Sequence, residues 1–231
     1  MSELATTSVG VELLDDPSAD PDIVRGSLHH ITRANRWFGG VGAFIFGLRQ
    51  VLNGVSSTTP LTLFDVGTGA GDLPRAGVRW ARRRGYSIRP LGYDRSVAAA
   101  RLARDNGVPT AVGCAGTLPL ADRAVDVVLV SQVIHHLRRD AALRLLVECH
   151  RVARMGVIVS DLERSRLAMA GFWVGSRVLG FDASTRADGI TSVRRGYLPG
   201  EFRALFADAG LEARTFRRPA FRLVGVWRPA S

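Results

Sequence analysis

The chain has no lysine, and all 31 of its basic residues are arginine, against 21 acidic residues. A phosphate-binding loop of the Walker type needs a lysine that grips the terminal phosphates of a nucleotide. That class of nucleotide site is therefore excluded, and a glycine-rich loop in this chain must bind something else. Complete use of arginine is typical of a GC-rich genome.

Cysteine is also scarce, with Cys114 and Cys149 as the two in 231 residues. Neither has metal-ligand spacing or belongs to a disulfide framework, so we predict no metal site and a reducing compartment. There is no apolar run of transmembrane length, and residues 1–5 lack the basic start and apolar stretch of a signal peptide. These absences predict a cytoplasmic protein with no membrane span.

The formal net charge of +10 raises the question of a nucleic-acid partner, because basic surfaces bind phosphate backbones. No aromatic-interleaved basic stripe or recognised RNA-binding motif accompanies the charge. The cluster 82–84, three arginines, lies near the end of a predicted helix, where cations interact favourably with the helix dipole. The pattern disfavours nucleic acid as a substrate without excluding it.

The most informative segment is 63–72, an apolar run that ends in Asp65 and then in three alternating glycines, Gly67, Gly69 and Gly71. It predicts a strand, a tight loop and a helix. Glycine permits a sharp turn and close approach of a ligand, and a helix start presents free N–H groups. The G-x-G-x-G spacing departs from the usual dinucleotide fingerprint. We predict a small ligand on this loop.

Strands and helices alternate along the rest of the chain. The predicted strands are 61–66, 88–93, 109–113, 125–130, 156–160, 212–217 and 221–228, and the predicted helices are 72–84, 96–106, 139–153 and 199–209. Alternation predicts a parallel sheet with helices on both faces and right-handed crossovers. Pro219 favours a turn between the last two strands, because it cannot donate to a sheet ladder. The length and the 46% hydrophobic content fit one compact α/β domain.

A second apolar run, 87–94, also ends in a carboxylate, that of Asp94. The carboxyl ends of adjacent parallel strands share one crevice, so we expect Asp94 to face the glycine loop and to bind the hydroxyls of a ribose. The two signals together are much more specific than either alone.

With these segments and the run 113–131, the chain resembles class I S-adenosylmethionine-dependent methyltransferases. The group it resembles includes ubiquinone/menaquinone-biosynthesis enzymes and small-molecule O-methyltransferases. The resemblance covers roughly residues 60 to 217 by pattern. It implies a Rossmann-like, doubly wound, seven-stranded, mostly parallel sheet closed by a hairpin whose last strand is antiparallel. It also implies S-adenosyl-L-methionine as cofactor and S-adenosyl-L-homocysteine as product. The cofactor-binding residues it implies are Asp65, Gly67, Thr68, Gly69, Gly71, Asp94, Arg95, Cys114, Ala115, Gly116, Ser131 and Gln132.

Cys114 departs from the pattern of this family. Many relatives have an aspartate there that accepts a hydrogen bond from the adenine amino group, and a thiol is a weak acceptor. Adenine recognition would then rest on backbone groups and apolar packing.

Chemistry is expected at the ends of the fourth and fifth predicted strands, where His135-His136 and Asp161 follow apolar runs. Methyl transfer from a sulfonium requires positioning of the acceptor and, for a hydroxyl, removal of its proton. Histidine accepts a proton near neutral pH and a carboxylate can orient it. The resemblance implies His136 as base, His135 as a second candidate and Asp161 as the orienting or substrate-binding acid. The alternative is a His-His-Leu element that merely begins a helix.

Two segments outside the alternating core, 20–52 and 164–195, are predicted to build the acceptor pocket. Asp20-Pro21 is a good helix start, and the second segment, inserted after the fifth strand, is rich in apolar residues. The residues expected in the pocket are His29, His30, Trp37, Phe38, Met169, Phe172 and Trp173. Within the insertion, 186–195 is predicted as a turn and a short extended piece. The alternative for each segment is a helix that packs on the core or on a dimer partner.

We therefore predict a single methyltransferase domain. Its predicted parts are an N-terminal helical lid (1–59), a cofactor-binding core (60–163), a lid insertion (164–198) and a C-terminal helix and hairpin (199–231). The predicted activity is O-methylation of an aromatic, polyketide-like or quinol acceptor in specialised metabolism, by a monomer or homodimer. C-methylation of a similar ring, RNA methylation and a non-methylating cyclase or cofactor-binding protein stay open, because a fold does not fix a reaction.

Overall fold

The computed structural model describes residues 20–56 and 60–229, which build a seven-stranded sheet flanked by helices. The strands are β1 (Leu61–Val66), β2 (Ile88–Asp94), β3 (Thr110–Val112), β4 (Val125–Ser131), β5 (Ala153–Leu162), β6 (Arg214–Arg218) and β7 (Arg222–Trp227). The helices are α1 (Pro21–Trp37), α2 (Gly40–Leu52), α3 (Asp72–Arg82), α4 (Val97–Asp105), α5 (Arg139–Val152), α6 (Arg166–Val178), α7 (Ala183–Arg195) and α8 (Pro199–Asp208). A short 3₁₀ helix, Ile134–His136, follows β4.

The strand order is β3-β2-β1-β4-β5-β7-β6, parallel from β3 to β5, with β7 antiparallel to both β5 and β6. The predicted Rossmann-like fold is confirmed, and the fifth strand is longer than predicted. Every residue of β4 is buried, as a strand covered on both faces by helices requires. No described helix is long and apolar enough to cross a membrane.

The N-terminal segment divides into two helices with different roles. Asp20 caps α1, since its Oδ1 accepts a hydrogen bond of 2.8 Å from the backbone N–H of Asp22. α2 packs on the sheet, where Phe44 and Leu48 are fully buried against Leu63. The predicted lid at 1–59 therefore includes a helix that belongs to the core, and its residues 1–19 and 57–59 lie outside the described residues.

The prediction of a turn and extended piece at 186–195 is wrong, because these residues form most of α7. Asp182 caps that helix by accepting a 2.7 Å hydrogen bond from the N–H of Thr185. Gly189 lies inside the helix, where it leaves room for the ring of Phe172. A Cβ at Gly189 would lie 2.2 Å from that ring. Helix–helix packing thus overrides the local preference of glycine.

The packing of α2 on β5 gives a testable contrast between two glycines of the same helix. A Cβ at Gly47 would lie 2.5 Å from Cγ2 of Ile158, whereas a Cβ at Gly42 would meet nothing within 4 Å. We expect Gly47→Ala to lower the free energy of unfolding by about 1–3 kcal/mol through overpacking. Gly42→Ala should instead be neutral or raise it by up to about 1 kcal/mol. Urea titrations measure both, and equal shifts would contradict this packing.

Candidate cofactor and acceptor site

The glycine loop between β1 and α3 has a backbone that only glycine adopts readily. Gly67, Gly69 and Gly71 have φ angles of 75°, 54° and 72°. A Cβ at Gly67 would lie 2.3 Å from Cγ2 of Val133, and one at Gly69 would lie 3.2 Å from Cδ2 of Leu28. The loop is therefore closed to any larger residue, and it leads directly into the first turn of α3.

Asp65, at the base of this loop, is buried, and the described residues supply a partner to one of its two carboxylate oxygens. Its Oδ2 accepts a hydrogen bond from Thr68 Oγ1 at 2.9 Å, whereas Oδ1 has no hydrogen-bond partner among the described residues. Burial raises the pKa of Asp65 well above its ordinary value, and the nearby charges of Asp72 and Asp94 raise it further. An unpartnered acceptor in an acidic cluster fits the cationic amino group of S-adenosylmethionine. The hydroxyl of Ser131, at the end of β4, is likewise buried without a partner in the described structure.

Asp94 lies beside the glycine loop, at the end of the neighbouring strand. Its Oδ2 accepts a 2.9 Å hydrogen bond from the N–H of Gly69, and its Oδ1 accepts one of the same length from Ser96. The carboxylate is only partly buried and keeps lone pairs for a ribose. Arg95, by contrast, is exposed.

The segment that is expected to lie against the adenine ring follows β3, the strand that pairs with β2. Cys114 is exposed, and Ala115 and Gly116 are half-buried. The backbone carbonyl of Cys114 accepts a 3.2 Å hydrogen bond from the Tyr93 hydroxyl, so the backbone of this segment is fixed to β2.

α1 covers the glycine loop, a contact that the sequence did not predict. Asn35, which is 3% exposed, donates from Nδ2 to Asp72 Oδ2 at 3.0 Å. Its Oδ1 accepts a 2.6 Å hydrogen bond from Nε2 of Gln132, a residue with a φ of 56° at the end of β4. A buried amide within an amphipathic helix is the sequence signal that could have revealed this link.

A cavity of about 270 Å³ adjoins Gln132 and lies between α1, α6, α7 and the β6–β7 turn. It is lined by His30, Phe38 and Phe172, three of the residues that the sequence analysis expected in an acceptor pocket. Other lining residues were not predicted from the sequence, among them Phe181, Glu163, Phe221 and Arg222. Phe221 and Arg222 begin the predicted strand 221–228, and Glu163 directly follows β5, whereas no sequence signal singled out Phe181. Ala220 and Phe221 both have positive φ, and such backbone strain is concentrated at functional sites.

Four other residues expected in the pocket do not line it. Met169 packs beside the cavity wall with Ala168 and Phe221. His29 is exposed, and Trp37 and Trp173 are 62% and 52% exposed. Each tryptophan ring lies against an arginine of its own helix, with the Arg177 guanidinium 3.5 Å from the centre of Trp173. A helix turns only one face to the cavity, and apolar character alone did not identify that face.

The predicted catalytic residues lie together near the ends of β4 and β5. Nδ1 of His135 is 2.6 Å from Oδ1 of Asp161, and both side chains are buried. The ring of His136 lies 4.1 Å from that of His135, and its Nδ1 is 3.4 Å from Nη1 of Arg195. Asp161 therefore contacts His135 rather than His136, and neither histidine is among the residues that line the cavity.

His30 does line the cavity and has a carboxylate partner of its own. Its Nε2 is 3.0 Å from Oδ2 of Asp182, and Nδ1 has no hydrogen-bond partner in the described structure. Hydrogen bonds from Thr185 and Ser184 lower the pKa of Asp182 to about 2, so this carboxylate is ionised at neutral pH.

The acids around the glycine loop give a prediction about pH. Burial raises the pKa of Asp65, Asp72 and Asp94 above the ordinary value of 3.8, so the folded protein binds their protons more tightly than the unfolded chain does. This tighter proton binding stabilises the fold fully at pH values below the pKa of the acids in the unfolded chain. The stabilisation is lost as the pH rises through their higher pKa values in the folded protein. We expect the melting temperature of the cofactor-free protein to fall less steeply from about pH 4 to neutrality in Asp72→Asn than in the wild type. Parallel pH curves of the two proteins, recorded at constant ionic strength, would contradict this.

Comparison with known proteins finds a methyltransferase domain and methyltransferase structures with the same fold. A model of the methyltransferase domain family matches residues 64–160, from β1 through most of β5. A search of curated proteins gives no match. Among solved structures, a SAM-dependent methyltransferase from Aquifex aeolicus is 18% identical with a TM-score of 0.58, over 91% of this chain and 99% of that one.

Two larger proteins share the fold over most of this chain. PigF, solved with S-adenosylhomocysteine, is 17% identical with a TM-score of 0.64, over 94% of this chain and 62% of that one. A protein of Nostoc punctiforme, provisionally assigned as an O-methyltransferase, is 18% identical with a TM-score of 0.61, over 96% of this chain and 64% of that one. Residues 64–160 thus match the methyltransferase domain family, and the sheet has the fold of the SAM-dependent methyltransferase from Aquifex aeolicus.

Proposed function

We propose that the protein methylates a hydroxyl group of a small aromatic, polyketide-like or quinol molecule. The observation that carries this proposal is the cavity next to Gln132, whose walls are mostly apolar and include four phenylalanines, Phe38, Phe172, Phe181 and Phe221. Clefts of this kind bind small molecules through apolar contacts and a few polar groups. Three helices enclose the cavity, and that geometry favours a small acceptor over a macromolecule. The provisional O-methyltransferase assignment of the Nostoc protein supports the same transfer atom.

The lid in this proposal consists of α1, α6 and α7, joined by polar contacts between them. Arg33 of α1 donates to the carbonyl of Leu179 at 2.5 Å, and its guanidinium lies 5.3 Å from the centre of the Phe181 ring. The His30–Asp182 contact ties α1 to the start of α7. These contacts hold the apolar wall against the sheet and exclude water from the acceptor.

When bound, S-adenosylmethionine supplies an electrophilic methyl group, and the residues of this chain position the acceptor hydroxyl and take its proton. We propose His30 as the general base, because it is the histidine that lines the cavity. With Nε2–H donating to Asp182, Nδ1 is left as the acceptor of the hydroxyl proton. The adjoining carboxylate then stabilises the imidazolium that forms.

The His135–Asp161 pair has a different role in this proposal. Asp161 Oδ1 also accepts a 2.7 Å hydrogen bond from the N–H of Leu162, so the pair fixes the ends of β4 and β5 beside the cavity. His136, the base predicted from the sequence, remains the competing assignment.

The cytoplasmic location, the setting in specialised metabolism and the monomer or homodimer state stay predictions from the sequence.

Transfer of an isotopically labelled methyl group from S-adenosylmethionine to a panel of phenols, quinols and hydroxylated polyketides tests the proposed activity. We expect a labelled product whose methyl group is on oxygen, as established by NMR. The matched control is the O-methyl ether of each acceptor, which should accept no label. Label on carbon would establish C-methylation instead, and label on RNA alone would overturn the small-molecule proposal.

A further inference from the structure

The cavity contains one buried cation that the methyl-transfer chemistry does not use. Arg222, the first residue of β7, pairs with Leu162 of β5, lines the cavity and is only 3% exposed. The surrounding wall is largely aromatic and aliphatic. An arginine is almost never buried in such surroundings unless it is paired with an acceptor.

The acceptors that the protein supplies to Arg222 are few. Nε donates to the backbone carbonyl of Phe38 at 2.9 Å, and Nη1 has no hydrogen-bond partner among the described residues. Burial lowers the pKa of Arg222 to about 10 and the charge of Asp161 raises it in part, so the guanidinium stays protonated at neutral pH. A charged donor is thus left unsatisfied in an apolar site.

The carboxylates of Glu163 and Asp161 near Arg222 already accept hydrogen bonds from other groups. Both oxygens of Glu163 receive hydrogen bonds from Arg217, at 3.1 and 2.6 Å. Oδ1 of Asp161 binds His135 and the N–H of Leu162, and Oδ2 accepts from the backbone of His135 at 3.3 Å. Asp188 also lines the cavity, from the α7 side. An anionic acceptor group is therefore best accommodated beside β7.

The position of Arg222 sets a length for the acceptor. Gln132 follows β4, and Arg222 begins β7, which is two strands away in the sheet order. Neighbouring strands are spaced by about 4.8 Å, so the two backbone positions are roughly 10 Å apart across the sheet. That span suits a one- or two-ring aromatic molecule with polar groups at opposite ends.

We propose that Arg222 binds a carboxylate of the acceptor, so that the preferred substrates are hydroxylated aromatic carboxylates. The inference rests on the proposed function and adds the substrate class. A carboxylate matches the donor geometry of a guanidinium, and the resulting charge-assisted hydrogen bond would satisfy the orphaned Nη1.

Calorimetric titration of the protein saturated with S-adenosylhomocysteine tests this, with 6-hydroxy-2-naphthoate and 6-hydroxy-2-naphthamide as matched probes, because their polar groups lie at opposite ends of the two rings. We expect the wild type to bind the carboxylate at least about tenfold more tightly than the amide. In Arg222→Met the preference should disappear, with amide binding little changed. Arg222→Lys should keep part of it, and the control Arg214→Met, on the exposed part of β6, should keep all of it.

Equal affinity of the wild type for both probes, binding of neither, or a preference that survives in Arg222→Met would each overturn the proposal. The wild-type comparison decides even if Arg222→Met does not fold, because it needs no variant. Methylation of neutral phenols without a carboxylate preference would leave the proposed function intact while removing this inference. Absence of any methylated phenol would instead remove the proposed function.

Discussion

Gly69→Arg is expected to weaken the binding of S-adenosylhomocysteine by at least about 100-fold while the protein remains folded. Gly69 has a φ of 54°, its N–H donates to Asp94, and a Cβ there would lie 3.2 Å from Leu28 of α1. An arginine at this position would fill the space under α1 and displace the backbone that holds Asp94. A 100-fold loss corresponds to about 2.7 kcal/mol, within the usual range for local strain and a lost polar contact.

Gly210→Arg is the matched control for that variant. Gly210 has a φ of 70°, comparable with that of Gly69, and a Cβ there would meet no atom of the described residues within 4 Å. It lies after α8, away from the cofactor loop, so it adds the same charge and similar backbone strain without touching the site. Calorimetry should show wild-type affinity for the control. If the two variants bind equally, the loop is not the cofactor site.

His30→Asn is expected to lower kcat by about 100-fold or more, with the affinity for S-adenosylhomocysteine unchanged. The variant removes the proposed proton acceptor from the cavity wall, and general-base catalysis typically contributes factors of this size. Asparagine keeps a polar amide near the place of Nδ1 but loses the contact that Nε2 of His30 makes with Asp182. Single-turnover rates with a phenolic acceptor measure the chemical step directly.

His136→Asn provides the decisive comparison, because the sequence favoured His136 and the cavity favours His30. We expect less than about a threefold change in turnover for His136→Asn, since a residue that touches no reacting atom contributes little to the chemical step. The opposite result, a large loss in His136→Asn and none in His30→Asn, would restore His136 as the base.

Much of the fold was predictable because the signals were local. The apolar run before Asp65, the glycines after it and the second run ending in Asp94 placed two strands and the loop between them. Buried parallel strands have continuous apolar sequences, which made β4 and β5 easy to locate. The hairpin was predictable from Pro219 and its flanking runs.

The parts that could not be predicted depend on contacts between distant segments. Asn35 and Gln132 are 97 positions apart, and their hydrogen bond follows only from how α1 lies on the sheet. The segment 186–195 was predicted as a turn and an extended piece, yet it is helical, and Gly189 packs there against Phe172. The cavity face of α1 includes His30 but not His29, a distinction that needs the helix orientation as well as the pattern.

α1 forms a wall of both ligand spaces, since Leu28 and Asn35 cover the cofactor loop while His30 lines the acceptor cavity. A shared wall imposes an order on the kinetics. With α1 over both spaces, we expect the cofactor to bind before the acceptor and the spent cofactor to leave after the methylated product. We therefore expect S-adenosylhomocysteine to be a competitive inhibitor against S-adenosylmethionine and a noncompetitive one against the acceptor.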